Sequence, residues 1–324
     1  MTDDTPELLD HEGIFEDLTA GPDDADARLD VFLTQALPLS RARVQHAIEA
    51  GEVLLRGVPA SKSGVKLRAG DLISCRIPPP PQPDLTPENI PLEFLHQDDD
   101  LVVLLKPAGL VVHPAPGHPS HTLVNALLYH FQHVAPPLDG AQAVFRPGIV
   151  HRLDKDTSGV MVAARSARAQ ASLAEQFAAH TIERRYLALV LGVHLESGTV
   201  FDTGHSRHTQ DRRRYTGQKD TARRAITKVE VLEKHPSKTS LLACTLQTGR
   251  THQIRMHLAE HHAPILGDVL YGGARAQTKL IARQALHAEV LGFQHPDGRW
   301  LRFEAPPPAD FQAALDALRA GKRV

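Results

Sequence analysis

Seven of the fourteen residues from Pro78 to Pro91 are proline, at positions 78, 79, 80, 81, 83, 87 and 91. Each ring locks φ and removes an N–H, so neither a helix interior nor a sheet ladder survives that density. The stretch predicts an extended, semi-rigid linker, on the order of 40 Å long if it is wholly polyproline II. It splits the 324-residue chain into a short N-terminal part and a long C-terminal one. A hydrophobic fraction of 42% is enough for a core in each.

The net charge of −2 hides an uneven distribution. Residues 1–26 hold ten of the 38 acids and no Lys or Arg, so the remaining chain carries 36 basic against 28 acidic residues. An acidic, disordered, solubilising arm over 1–26 followed by a basic body fits a polyanionic partner. Cys75 and Cys244 lie far apart and predict no disulfide framework and a reducing, cytoplasmic setting. The N-terminus has no apolar run of the signal-peptide kind, and no stretch approaches about 18 apolar residues, so neither secretion nor a membrane span is expected. His257, His261 and His262 have a spacing that helical zinc ligands use. No Glu directly follows the first His as in the metalloprotease pattern, and no Cys cluster accompanies them, so no metal is expected.

Residues 27–77 read as a small module. Leu29, Phe32, Leu33 and Ala36 give a helical face, Pro38 breaks it, and Ser40 caps a second helix from Arg41 that Gly51 ends. Val53 to Leu55 and Leu67 to Ile77 read as strands. With Arg28-Leu29-Asp30, Ser40-Arg41-Ala42-Arg43, Glu49-Ala50-Gly51 and Ala69-Gly70-Asp71 in place, the module resembles the S4 RNA-binding domain. Arg41 and Arg43, at the first turn of the second helix, are then expected to meet RNA phosphates. The turn Leu55-Arg56-Gly57 departs from the Asn-Gly often found there.

The long part, residues 92–324, centres on Gly148-Ile149-Val150-His151-Arg152-Leu153-Asp154-Lys155-Asp156-Thr157-Ser158-Gly159. Ile149, Val150 and Leu153 precede the polar run and Val160 to Ala164 follow it, so each flank reads as a short buried strand. Polar residues pressed between core strands cost free energy unless they are paired or used. Asp156, beside Thr157 and Ser158, suits local turn bonding. Elsewhere, Lys106 ends a strand from Leu101, Thr122 to Phe131 and Ala167 to Ala179 read as helices, and Tyr186 lies in a strand from Ile182 to Leu191. Thr251 is placed to cap a helix carrying Ile254 and Leu258, and a last helix over Ala309 to Ala320 packs Phe311, Leu315 and Leu318. His205 to Lys228 holds eight basic residues against two acids, with Tyr215, His205 and His208 interleaved. That run, with Arg212, Arg213 and Arg214 at its centre, predicts an exposed loop or hairpin for RNA backbone contact and base stacking.

The run His151 to Gly159 resembles the signature of the RluA-type pseudouridine synthases. Lys106-Pro107-Ala108-Gly109, Gly249-Arg250-Thr251-His252-Gln253-Ile254-Arg255, Pro264-Ile265-Leu266-Gly267-Asp268 and Gln284-Ala285-Leu286-His287-Ala288 extend the resemblance, in order, over 27–308. It implies an α+β protein: an S4-like α/β module and a catalytic domain whose mixed, mainly antiparallel sheet is flanked by helices. It implies Asp154 as nucleophile, Arg255 as its ion-pair partner and Tyr186 against the target base. Arg152 would flip or replace the base, and Lys106 and Arg250 would support the site or touch RNA. The isomerisation needs no cofactor, and no phosphate-cradling glycine motif is present. The partner is RNA, with large-subunit ribosomal RNA favoured over transfer RNA, and a monomer is expected. The competing readings are a non-catalytic RNA-binding or ribosome-assembly protein and a metal-dependent hydrolase.

Overall fold

The computed structural model describes residues 14–78, 85–115, 117–131, 148–219 and 221–324. The chain forms two compact units that divide between Gln82 and Pro83, inside the proline-rich stretch.

The first unit holds strands β1 (Ile14–Thr19), β2 (Val53–Leu55), β3 (Val58–Pro59) and β4 (Leu72–Ile77) and helices α1 (Leu29–Ala36) and α2 (Arg41–Glu49). The sheet runs β1-β4-β2-β3. Leu29, Leu33, Val44 and Ile48 from the helices meet Val53, Ile73, Cys75 and Ile77 from the sheet in one core. The acidic arm expected over 1–26 is therefore too long. Ile14 pairs with Ile77 and Thr19 with Leu72 in a six-residue ladder, and Ile14 is buried. The acids of this strand conceal a backbone that β4 satisfies; residues 1–13 lie outside the described ones. The unusual turn is also accounted for. Arg56 and Gly57 both take positive φ, 55° and 79°, as a two-residue hairpin turn demands. A left-handed Arg costs roughly 1–2 kcal/mol. Its guanidinium grips the Asp71 carboxylate through Nε and Nη2, both at 2.6 Å, which offsets that cost.

The second unit carries, in order, β5 (Glu93–Gln97), β6 (Leu101–Lys106), α3 (Leu123–His130), β7 (Ser158–Ala164), α4 (Ala167–Ala179), β8 (Glu183–Leu191), β9 (Val200–Gly204), β10 (Ser206–Arg207), β11 (Tyr215–Thr216), β12 (Arg224–His235), β13 (Thr239–Leu246), α5 (Gln253–Glu260), α6 (Val269–Gly272), β14 (Leu286–Gln294), β15 (Trp300–Glu304) and α7 (Ala309–Arg319). The main sheet runs β5-β6-β7-β14-β8-β13-β12-β9, with β15 also on β14. Among the described residues its pairings are antiparallel except that of β7 with β14, where His287 faces Ser158 and Ala288 faces Gly159. Gly159 sits there at φ 138°, and a Cβ on it would collide with the Ala288 backbone. The glycine thus lets the two strands close where the polar loop enters β7.

Other expectations need correction here. Thr86 to Ile90 do not form a free linker: the Asn125 amide donates to the Thr86 carbonyl at 2.9 Å, and Glu88 N–H to the Asn125 carbonyl at 3.0 Å. Prolines 79, 80, 81 and 83 lie outside the described residues. Ile149 to Leu153 do not form a strand; Ile149 makes one isolated bridge to Ala163. His151 does the pairing instead. Its Nε2 accepts the Val162 N–H at 3.1 Å, and its ring stacks on Phe177 at 4.7 Å. Burial lowers its pKa to about 3, which keeps the accepting lone pair available.

Candidate active site

The site is a cleft of about 370 Å³ lined by Arg152, Asp154, Tyr186, Arg250, His252 and Arg255, among others. Asp154 lies at the start of a tight turn, closed by Thr157 N–H donating to the Asp154 carbonyl at 3.1 Å, immediately before β7. A turn at the end of a buried strand projects its first side chain into the cleft while the strand fixes the backbone behind it.

Arg255, in the first turn of α5, donates from Nη1 to Asp154 Oδ2 at 2.8 Å. Its Nε and Nη2 grip Asp268 at 2.7 and 3.0 Å. Asp268 caps α6 and is buried, so the guanidinium is held from one side and presented to Asp154 from the other. Burial pushes the Asp154 carboxyl up, but His252 and Arg255 beside it more than offset that and hold it below the usual 3.8. His252 Nε2 lies 3.8 Å from Asp154 Oδ1, and burial pushes the imidazole down from its ordinary 6.5. Arg255 is thus the permanent counter-charge at neutral pH.

Tyr186 comes from β8, opposite Cys244 on β13 and Ala288 on β14, and reaches the same cleft. Burial raises its phenol to about 12, so it stays protonated across the neutral range. Arg152 is exposed and lines the cleft next to Asp154. Arg250 also lines it, with its Nε donating to the Arg224 carbonyl at 3.1 Å. The structure therefore brings Asp154, Tyr186, Arg255, Arg152 and Arg250 together from a spread of about a hundred residues of sequence.

Not every expected site residue belongs there. Lys106 is fully buried, and its Nζ donates to the carbonyls of Pro107, Leu110 and Lys155 at 2.7, 2.8 and 2.9 Å. RNA contact is excluded by that burial; the side chain holds the Asp154 turn from below. Burial lowers its pKa to about 7, while three carbonyls match the three N–H donors of the charged form. Arg41 is engaged with the buried Asp30, its Nη2 at 2.9 Å, and Asp30 also accepts from Arg28 Nε at 2.9 Å and Gln45 Nε2 at 3.0 Å. The Arg43 guanidinium donates to the Pro78 carbonyl. Both arginines thus tie their own unit together, and the Arg41 side chain remains 55% exposed. In the basic segment β10 and β11 form a hairpin with Arg212 and Arg213 exposed. Tyr215 stacks on His205 at 4.5 Å, and the Arg207 guanidinium lies 4.4 Å from its centroid. Arg214 lies over Tyr271 at 5.2 Å.

Sequence reasoning also passed over residues that build the cleft. His252, rather than Thr251, is the residue at the head of α5, in the left-handed region at φ 57°. Its Nδ1 meets the Tyr271 hydroxyl at 3.1 Å, and that oxygen accepts the Tyr215 N–H at 2.8 Å. Gln253 organises the same bend, accepting from Thr248 Oγ1 at 2.7 Å and Arg250 N–H at 2.9 Å. Positive φ at a His is the signal that sets this bend apart, and no sequence period reports it. His257, weighed above as a metal ligand, spends its ring on Thr227 Oγ1 at 2.9 Å and Thr203 Oγ1 at 3.0 Å. Among the described residues the grouping with metal-like spacing is Asp98, Asp100 and His295, where Asp100 already accepts from Arg168 and Ser166.

Residues 100–260 match the family model described as RNA pseudouridylate synthase, and residues 27–73 match the S4 domain. A protein of Xanthomonas campestris named ribosomal large subunit pseudouridine synthase D is 42% identical over 335 residues, covering 98% of this chain and 96% of that one.

The chain belongs to the RNA pseudouridine synthase family.

A Bacillus subtilis relative named as an uncharacterized RNA pseudouridine synthase is 40% identical, covering 94% of this chain and 98% of its own. The solved structure of human RNA pseudouridylate synthase domain containing 4 aligns with a TM-score of 0.54 at 27% identity, over 70% of this chain and 93% of that one. The α+β architecture expected from sequence, an S4 domain and a large mixed sheet flanked by helices, is the one found. The synthase carries its cleft where, among the described residues, that sheet turns parallel.

Proposed function

We propose that the synthase converts specific uridines of large-subunit ribosomal RNA to pseudouridine, with Asp154 as the nucleophile or base and with the target base flipped out of its stack. The observation that carries this reading is the pairing of Asp154 with a cation, Arg255, that is itself locked to Asp268. Such a carboxylate stays ionised in a half-closed cleft and faces the sugar without needing a proton removed first. The reaction conserves every atom. The N1–C1′ bond breaks, the uracil turns, a C5–C1′ bond forms, and the proton lost from C5 is balanced by one gained at N1. Asp154 serves at the sugar, by attack or by proton removal. Tyr186 covers the detached base, and Arg152 takes the space the base vacates. The S4 domain and the exposed Arg212 and Arg213 supply backbone contact. The name of the Xanthomonas relative supports ribosomal over transfer RNA. The reading includes a cytoplasmic monomer, which cell fractionation and light scattering test.

The deciding experiment maps pseudouridines in cells whose only copy carries Asp154→Asn. Uridine should reappear at sites in large-subunit ribosomal RNA. Loss confined to transfer RNA would redirect the substrate, and persistence of every pseudouridine would overturn the reading.

A further inference from the structure

Four successive residues after Asp154 are each held by a different side chain. Lys106 Nζ holds the Lys155 carbonyl at 2.9 Å. Arg283 Nη1 donates to the Asp156 carbonyl at 3.0 Å. Gln284 Nε2 donates to Thr157 Oγ1 at 3.3 Å, and Ser158 Oγ meets His287 Nδ1 at 2.9 Å. Three of these four come from the single segment that runs into β14.

Arg283 differs from the others in what stands behind it. Its Nε and Nη2 grip Asp310 Oδ2 and Oδ1 at 2.7 and 2.9 Å. Asp310 is the second residue of α7, and Phe311, Ala314, Leu315 and Leu318 bury that helix in the core shared with β8 and β13. A guanidinium is planar, so a two-point grip on Asp310 fixes the direction of the N–H aimed at Asp156. Nη1 also donates to the Gln284 and Leu286 carbonyls at 3.1 and 3.4 Å, which places Arg283 but does not orient its plane. The Asp156 carbonyl is two residues from Asp154 in a turn closed at 3.1 Å, so a swing of one moves the other.

We infer that Arg283 and Asp310 are positioning residues that set Asp154 for reaction, so that the seating of the last helix is read out at the cleft. The inference rests on the proposal that Asp154 does the chemistry. Arg283 borders the adjoining hollow beside Asp154 but not the wall with Tyr186; Asp310 lines neither and is half exposed at 48%, so its replacement leaves the core intact.

The test measures single-turnover pseudouridine formation, RNA affinity and melting temperature for the full chain. Asp310→Asn should slow the step about tenfold and Arg283→Lys about a hundredfold, since misplacement of a reacting group by about 1 Å costs about that much. RNA affinity should stay within about twofold and the melting temperature within a few degrees of the parent's. Asp310→Glu should recover most of the rate. Unchanged rates in both Asp310→Asn and Arg283→Lys, or losses that follow affinity or melting, would overturn the inference. Asp154→Asn run alongside separates the two claims: a dead Asp154→Asn with an active Asp310→Asn sinks only this one, and an active Asp154→Asn sinks the site itself.

Discussion

Arg255 reaches Asp154 with a single N–H at 2.8 Å while spending two others on Asp268. The buried acid, not the reactive one, has the tighter hold on the cation. Asp154 consequently keeps a charge partner without being locked by it, and its second oxygen faces His252 at 3.8 Å. A carboxylate that must act on a sugar needs that combination of stabilised charge and an unblocked oxygen.

Removing the carboxylate should remove the chemistry alone. Asp154→Asn preserves shape and is expected to lower the rate by about 10³-fold or more, as loss of a nucleophile does. RNA affinity and melting temperature should hold. Turnover within tenfold of the parent would show that another group reacts.

Arg255→Gln should bring an acid limb into view. With the cation present, the Asp154 pKa is lowered from 3.8, so activity should be flat on the acid side down to that range. Without it, burial is opposed by less positive charge and the carboxyl should move up from its parent position. The sign is set by burial favouring the neutral acid: the acid limb of Arg255→Gln should lie at higher pH than the parent's, with about the slope of one proton. A pH profile parallel to the parent's would refute this account.

Lys106→Met keeps the buried chain length and deletes the three hydrogen bonds under the turn. Each carbonyl left without a partner costs about 1–3 kcal/mol, so a loss of about 3–5 kcal/mol in denaturant unfolding is expected. Weakened RNA binding with undiminished stability would restore the RNA-contact role that burial excludes here.

Arg212 and Arg213 test the basic hairpin. Arg212 is exposed, and Arg213 is also exposed but pairs with Asp211 at 2.9 Å. Arg212→Ala should reduce the slope of log affinity against log salt by about 1, the value for one phosphate contact. Arg213→Ala should change it less, because Asp211 competes for the same guanidinium. Equal slopes for parent and Arg212→Ala in a filter-binding titration would place the RNA elsewhere.

The buried Asp30 gives the first unit an acid-sensitive anchor. Its pKa is lowered, first by the Arg28 hydrogen bonds and then, against burial, by Arg41 and Gln45. A carboxylate with a depressed native pKa stabilises above its unfolded value of about 3.9 and loses that contribution as pH falls below it. Asp30→Asn should therefore cost stability at pH 7, and the difference should shrink progressively as pH falls below about 3.9. A pH-independent difference would mean that packing, not charge, is lost.

Much of the fold is legible in the chain because local rules dominate there. Ser40 and Ser166 cap their helices as expected, through Arg43 N–H at 3.3 Å and Ala169 N–H at 3.2 Å. Phe311, Leu315 and Leu318 face the core at the spacing of one helical stripe. The polar run before Gly159 marks the site because no core tolerates it unused. The sequence by itself thus determined the division of the chain, most of its elements and the carboxylate proposed to react. What it leaves undecided are matters of long-range contact. The acids of Ile14–Thr19 hide a strand whose partner, β4, begins more than fifty residues later. Lys106 looks like a strand-end charge until three carbonyls close over it. Arg41, Arg43 and Tyr215 show no partner in the sequence, and only the fold gives them Asp30, Pro78 and His205. Which cation meets Asp154, and which residues hold the turn beneath it, was decided only by the tertiary structure. Periodicity and turn chemistry act over a few residues, whereas ion pairs and buried hydrogen bonds are settled by where the sheet and helices bring distant groups together.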